Sequence, residues 1–320
     1  MTPTTTCLTT LPQRLTVPDD HLLLVTLNKQ QQQAALHGAG TCLCCAGPGS
    51  GKTAVLIRRA ALLIEAGVDP ACLLAVTFTN KAARELKTRL AGMVGVEATR
   101  KMTVGTFHSL CARWLRRDAP IIGRRRDFTI YDQADSDRVI AGLFKALDLD
   151  TKGGKVAAMR ERISRWKNDL ITPEQAGRRI NPLDPVDKRA LQFYVEYERI
   201  LKRNNAFDFD DLLMKFVQVL KADPQVLRRY QRTWLAVSCD EVQDNNACQA
   251  YSQHSCSGAY QTRFAAFHCA VSWATNLQLQ LYRHLFLSSA TASTSGCLIT
   301  DALESVDVGN GPVTSGVRRS

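Results

Sequence analysis

The residues with the most chemical content are Lys52 and Thr53, which close the run Ala46-Gly47-Pro48-Gly49-Ser50-Gly51-Lys52-Thr53. Glycines let backbone N–H groups turn inward around an anion, and a helix starting directly after them adds the positive end of its dipole. In such a loop Lys52 reaches the outer phosphates of a nucleotide and the Thr53 hydroxyl holds Mg2+. Ala46 stands where the strict pattern has its first glycine, which still leaves Gly47, Gly49 and Gly51 in the turn. The bland alternative is an ordinary glycine-rich strand-to-helix loop. The Gly-Lys-Thr ending and the flanking elements argue against it. A second set is Asp240-Glu241-Val242-Gln243-Asp244, delivered by the apolar run Trp234 to Cys239. Asp240 is expected to share the Mg2+ with Thr53, Glu241 to orient and deprotonate the attacking water, and Gln243 to sense the γ-phosphate. An Asp-Glu pair alone is common on surfaces, so its weight rests on the strand before it and on the distant loop.

The elements that must position these groups follow from local pattern. The loop lies between a short apolar strand, Thr41 to Cys45, and a helical pattern from Ala54 to Ala66. Upstream, Asn28 reads as the N-cap of a helix carrying Gln30 to Gln33. A glutamine run is usually a solvated face, yet Gln31 at this distance from a phosphate loop offers one donor and one acceptor to an adenine edge. Strands at Leu73 to Phe78 and Met102 to Phe107, each followed by a helix, predict an α/β fold with a parallel sheet and function at the carboxyl ends of its strands. Phe78, Thr79, Asn80 and Lys81 fall at one such end, and Thr106, Phe107 and His108 at the other. Rings beside polar or cationic neighbours suit stacked bases with held phosphates. Both phenylalanines in the core, with His108 as a helix cap, is an equally good reading of the local pattern.

From Arg113 to Asn205 strand signals fade and helices are predicted at Gln133–Leu147, Gly154–Asn168, Pro173–Ile180 and Val186–Asn204. An all-helical block within an α/β pattern reads as an inserted subdomain. Its basic clusters, such as Arg124 to Arg126, are either solvated helix faces or a nucleic-acid path. The net charge of +11 and pI near 9.2 favour an anionic partner. Eleven cysteines, three of them crowded at Cys42, Cys44 and Cys45, lack a second ligand pair for a metal and read as buried strand residues in a reducing compartment. No apolar run approaches the ~20 residues that span a bilayer, so no membrane partner is expected. The Thr-rich start, residues 1–20, reads as a disordered or targeting tail. The expected location is the nucleus for a eukaryotic chain, with organelle and cytoplasm as the alternatives.

Taken in order, these motifs resemble the N-terminal part of UvrD/Rep-type superfamily 1 DNA helicases, from about Leu22 to Gln249. Leu27-Asn28-Lys29-Gln30-Gln31 looks like the family's adenine-recognising Q motif. The phosphate loop matches. Ala75 to Ala83 resembles the first single-strand-contacting motif and Val104 to Ser109 the second. Asp208-Phe209-Asp210-Asp211-Leu212-Leu213 matches a further signature, and Asp240 to Asp244 looks like the Walker B segment. The resemblance implies a first RecA-like motor domain, ATP and Mg2+ as cofactors, and single-stranded or 3′-tailed DNA as partner. It also implies hydrolysis coupled to 3′-to-5′ translocation, with Phe78 and Phe107 stacking on bases. The expected division is residues 21–115 with 206–249 as the ATP-binding domain, 116–205 as the helical insertion, and 250–320 as a non-family, disordered tail.

Departures begin near the acidic segment, where the family has an aromatic at Val242 and a threonine at Asn245. Beyond Gln249 the composition shifts: residues 250–320 hold no lysine and are rich in Ser, Thr, Cys and Ala. That stretch reads as a divergent tail or, preferably, as out-of-frame or intronic sequence. Without a second RecA-like half, whose arginine finger is worth roughly 10³- to 10⁵-fold in turnover, the chain is expected to bind ATP–Mg2+ weakly and barely to work as a motor. A non-motor module that occupies single-stranded DNA or a partner helicase is the competing reading. A metabolic P-loop kinase would leave Phe78 and Phe107 unexplained.

Overall fold

The computed structural model describes residues 11–12, 14–40, 42–47, 49–240, 246, 248–249, 251–252, 264–269, 297–300 and 303–307. Nine strands lie in these residues: β1 (Cys42–Ala46), β2 (Leu73–Thr77), β3 (Thr103–Thr106), β4 (Thr129–Ile130), β5 (Ala206–Phe207), β6 (Ala236–Asp240), β7 (Phe264–Cys269), β8 (Cys297–Thr300) and β9 (Leu303–Asp307). Seven of them form one sheet in the order β3-β2-β6-β7-β1-β8-β9, parallel throughout except for the β8/β9 pair. The remaining two, β4 and β5, pair in parallel as a separate ribbon.

A parallel sheet must be covered on both faces, and β2 shows how the sequence supplies both. Its residues alternate sides. Leu73 and Ala75 join a core with Leu56, Leu62, Leu86 and Leu90, whereas Leu74 and Val76 join a second core with Leu110, Leu213, Phe216 and Val237. The first core is closed by helices α1 (Lys29–Ala35), α2 (Lys52–Glu65) and α3 (Asn80–Val94), with α4 (Val96–Lys101) packed on α3. The second is closed by α5 (Phe107–Asp118), α10 (Phe209–Ala222) and α11 (Pro224–Thr233). Between α5 and α10 the chain builds α6 (Gln133–Ala146), α7 (Lys155–Asn168), α8 (Pro173–Gly177) and α9 (Pro185–Arg203). These enclose a third core of their own around Ile140, Phe144, Ile163, Phe193, Tyr194 and Tyr197.

Most helix starts agree with their capping residues. Asn28, Thr106, Asp132, Thr172 and Asp208 each form a reciprocal capping box with the residue three positions on. Such caps are each worth about 1 kcal/mol. Helix α4 has no counterpart in the sequence reading: six residues between Gly95 and Met102 are too few to show a period.

Two expectations about the chain ends are corrected. Within residues 1–20, Leu11 and Leu15 are buried in the first core, the Leu15 N–H donates to the Leu36 carbonyl at 2.8 Å, and Ala39 N–H donates to Pro12 at 2.6 Å. That part of the presumed tail is packed because its leucines and its backbone find partners; residues 1–10 lie outside the described set. Likewise three segments of 250–320 are strands, and two of them, β7 and β8, flank β1. Buried backbone N–H and C=O groups require partners on both sides, and these segments supply them for β1.

Candidate nucleotide and nucleic-acid site

The strand β1 runs into the glycine turn and out into α2. Gly49 and Gly51 sit at φ +77° and +82°, a left-handed conformation costly for other residues. A Cβ at Gly49 would meet nothing within 4 Å, while one at Gly51 would lie 3.2 Å from Gln31 Nε2. Lys52 is buried and donates to the carbonyls of Ala46 at 3.1 Å and Gly47 at 2.8 Å, which uses two of its three N–H groups. Ser50 Oγ is buried without a hydrogen-bond partner among the described residues. An open left-handed turn, an ammonium folded back on it and an orphaned hydroxyl together fit a phosphate group. Pro48 lies outside the described residues.

Thr53 Oγ1 donates to Asp240 Oδ2 at 2.9 Å, closing a contact between positions 187 residues apart. The sheet explains it. Phe267 of β7 is level with Cys44 of β1 and with Asp240 of β6, so Asp240 faces the first turn of α2 across one intervening strand. A hydroxyl beside a carboxylate is a hard oxygen donor set of the kind Mg2+ takes. Glu241 and Gln243, expected to act on water and γ-phosphate, lie outside the described residues.

Gln31 has a second duty that the sequence did not suggest. Its Oε1 accepts from the Asn28 N–H at 3.0 Å and its Nε2 donates to the Ser50 carbonyl at 2.8 Å. One N–H and one lone pair of the amide remain for an adenine edge. Gln31 therefore ties α1 to the phosphate loop in addition to any base contact. Arg59 braces the same region from beneath: fully buried, it donates to the His37 and Gly38 carbonyls and to Ser238 Oγ, joining α2 to the α1 exit and to β6.

At the neighbouring strand ends the two phenylalanines part company. Phe78 is 47% exposed, and Thr79, Asn80 and Lys81 beside it are exposed as well. Phe107 is only 5% exposed, within the core that holds Leu110 and Leu213. Its expected place on a base is thus corrected to core packing, because the first residue of α5 points down onto the sheet. Thr106 is buried and spends its hydroxyl on the Ser109 N–H at 3.3 Å as the helix cap. His108 is half-buried; burial, partly opposed by Asp210, lowers its pKa and keeps it neutral near pH 7. Its ring meets Phe209 edge-on at 6.0 Å, and Phe209 is 51% exposed. Phe209 was not singled out as a contact. The spacing of Asp208 and Asp211, a capping box, was the available signal that α10 starts there and leaves Phe209 off its buried face.

Behind Phe209 lies a buried charge network. Lys167 of α7 contacts Glu198 at 2.7 Å, Asp208 at 2.7 Å and Asp211 at 3.0 Å, and Lys215 contacts Glu198 at 2.6 Å. Burial alone would lower the Lys167 pKa, but the three carboxylates raise it well above the ordinary lysine range. Two ammonium groups among three carboxylates leave one acid in excess. Asp211, wholly buried beside Asp208 and Glu198, has its pKa raised accordingly. Cys248 Sγ donates to the Lys167 carbonyl at 3.1 Å, and Asn246 bonds Asn168, which also donates to Asp210 at 3.0 Å. The helical insertion is thereby fastened to α10 and to the chain just beyond the acidic segment.

The paired Cys42 and Cys44 sulfurs are buried 3.6 Å apart, and among the described residues no cluster of three His, Cys, Asp or Glu is placed to hold a metal ion. No helix of the described residues is long and apolar enough to cross a membrane.

Comparison with known proteins gives the chain a family. The family described as the UvrD/REP helicase N-terminal domain matches residues 27–255. The chain is similar to the ATP-dependent DNA helicase UvrD1 of Mycobacterium tuberculosis (strain ATCC 25618 / H37Rv), 45% identical over 230 residues, which is 71% of this chain and 30% of that protein. It is also similar to UvrD1 of Mycobacterium leprae, 42% identical over 237 residues, covering 72% and 30% of the two chains. The ATP-dependent DNA helicase PcrA of Staphylococcus aureus (strain NCTC 8325 / PS 47) is 42% identical over 228 residues, covering 71% and 31%. The chain thus spans about 30% of the length of the curated relatives it matches.

Proposed function

The chain belongs to the UvrD/REP helicase family, and from that premise we propose that residues 27–255 form the ATP–Mg2+ and single-strand-binding half of a 3′-to-5′ DNA helicase motor. The observation that carries this reading is the Thr53–Asp240 contact at 2.9 Å beside a buried Lys52. Mg2+–ATP, when bound, supplies the phosphoryl group and neutralises charge on the β- and γ-oxygens. Lys52 would exchange its bonds to the Ala46 and Gly47 carbonyls for phosphate oxygens. The loop N–H groups of Gly49 to Thr53 would hold the same phosphates, Thr53 and Asp240 would hold the metal, and Gln31 would read the base. Glu241 would accept the proton of the attacking water, and Gln243 would sense the γ-phosphate. Single-stranded DNA lies over Phe78, Thr79, Asn80 and Lys81, with His108 and the exposed ring of Phe209 continuing the path.

Binding of a fluorescent ATP analogue and of a labelled single-stranded oligonucleotide tests the two halves separately. Lys52→Ala should abolish nucleotide binding, and Thr53→Val should weaken it in Mg2+ but not in EDTA. Phe78→Ala should cost about 1–3 kcal/mol of oligonucleotide affinity while Phe107→Leu leaves it unchanged. Nucleotide binding that survives Lys52→Ala would refute the site. DNA-stimulated ATP hydrolysis, absent from a passive binding module, separates a motor from one.

A further inference from the structure

A basic surface lies on the edge of the sheet opposite the site just described. Helix α5 leaves the carboxyl end of β3 and packs back along the sheet, so Arg116 and Arg117 in its last turn reach the amino-terminal edge. Helix α11 ends at Thr233 and feeds directly into β6, so Arg228, Arg229 and Arg232 stand at that same edge. Five residues of β6 at about 3.3 Å each put roughly 15 Å between the two edges.

The two arginine groups are joined. Asp118 accepts from Arg229 at 2.7 Å, from Tyr230 at 2.6 Å and from Arg117 at 3.3 Å. The Arg116 guanidinium donates to the Arg126 carbonyl at 3.0 Å, and Arg126 donates to the Arg117 carbonyl at 3.2 Å, which adds Arg125 and Arg126 to the face. All seven of these arginines are exposed, and the carboxylates that meet them are the buried Asp118 and the exposed Asp127, paired with Arg125 at 3.2 Å. Arg228, Arg229 and Arg232 line a shallow cleft of about 560 Å3. This is a concentrated excess of positive charge held in place by a buried acid.

The composition of the face selects its partner. Every cation in it is arginine, whose planar fork suits phosphate oxygens in a bidentate way that lysine cannot match. Arg228 and Arg232 are one helical turn apart, about 6 Å along the axis, or roughly two charge spacings along one strand of a duplex. Among the described residues no exposed ring accompanies them: Tyr230 and Trp234 are 1% and 3% exposed, and Trp114 is half-buried against both. Single-strand platforms combine charge with stacking rings, so a face with charge alone suits a backbone whose bases stay paired. Among the described residues, the exposed large apolar side chains lie elsewhere, at positions such as Leu22, Phe78, Leu183 and Phe209. An anionic membrane would need apolar anchors here.

We propose that this arginine face, formed by the end of α5, the 125–126 turn and α11, is a second nucleic-acid site that grips the phosphate backbone of a duplex. It is separate from the single-strand path at the carboxyl edge. Its test is the affinity of the purified chain for a short blunt-ended duplex, measured by anisotropy across a salt series with oligo(dT) in excess to fill the single-strand path. The triple variant Arg125→Gln/Arg228→Gln/Arg232→Gln changes exposed side chains and spares Arg117, Arg229 and Asp118. It should lower duplex affinity at least tenfold at low salt and flatten the log–log salt slope by about 3. It should leave binding of oligo(dT), measured alone, unchanged, whereas Phe78→Ala does the reverse. Thermal unfolding of the triple variant should match the parent. An unchanged salt slope, no duplex binding by the parent chain, or loss of binding to phosphatidylserine vesicles with duplex binding intact would each overturn the proposal.

Discussion

Replacing Lys167 by methionine removes the cation that three buried carboxylates share while keeping most of its volume. Lys167 contacts Glu198, Asp208 and Asp211 within 3.0 Å and is itself fully buried. Removing one partner of a buried pair leaves uncompensated charge and costs about 3–5 kcal/mol. That is a large part of the roughly 5–15 kcal/mol that holds a domain together. In urea, with a slope of about 1–3 kcal/mol per molar, the midpoint should fall by at least about 1 M near neutral pH. The pH dependence gives the charge origin away. In the parent, burial would raise the Glu198 pKa, but Lys167 and Lys215 depress it to about 2. Its contribution is therefore present above the unfolded value near pH 4.3 and lost as pH falls below it. In Lys167→Met only Lys215 remains for three acids, so their folded pKa values rise above the unfolded ones. Protonation then favours the folded variant, and the deficit relative to the parent should shrink as pH falls from about 7.5 to 5. Lys215→Met should cost less, because Lys167 still touches all three carboxylates. A midpoint shift of only a few tenths molar, or a deficit identical at both pH values, would show that the network does not hold the insertion to α10.

Gly51→Ala should weaken nucleotide binding and lower stability by about 1–2 kcal/mol, since φ is +82° and the new methyl group would press on Gln31 Nε2 at 3.2 Å; isothermal titration and urea melts would register both. His37 is held neutral, its pKa lowered to about 4 by burial first and Arg59 second. The unfolded chain takes up that proton and the folded one does not, so this contribution is complete above about pH 6.5 and falls by roughly 2 kcal/mol at pH 5. His37→Gln should remove that slope from the pH–stability curve while leaving the rest of the profile in place.

Local chemistry made much of this protein legible from its residues. The glycine spacing around Lys52 dictated a left-handed turn, and Gly49 and Gly51 adopt it. Asn28 and Asp208 announced helix starts because a short side-chain acceptor three residues before a free N–H has few other uses. The unbroken apolar run of Leu73 to Val76 required a strand buried on both faces. These outcomes depend on contacts within a few residues, where the sequence is nearly the structure.

Other features depended on which segments meet in space. Whether Phe78 or Phe107 faces solvent was undecidable locally, since each follows a strand beside polar neighbours; the first turn of α5 lies on the core and that of α3 does not. Nothing near Lys167 announces its acids, which arrive from positions 198, 208 and 211 on two other helices. The strands flanking β1 come from beyond residue 260, in a stretch whose composition suggested no structure, because an unpaired buried strand edge accepts whatever extended segment can satisfy its backbone. The contact of Thr53 with Asp240 is the clearest case: each residue type was readable in the sequence, but their 2.9 Å separation exists only because a parallel sheet brings the ends of β1 and β6 to one edge.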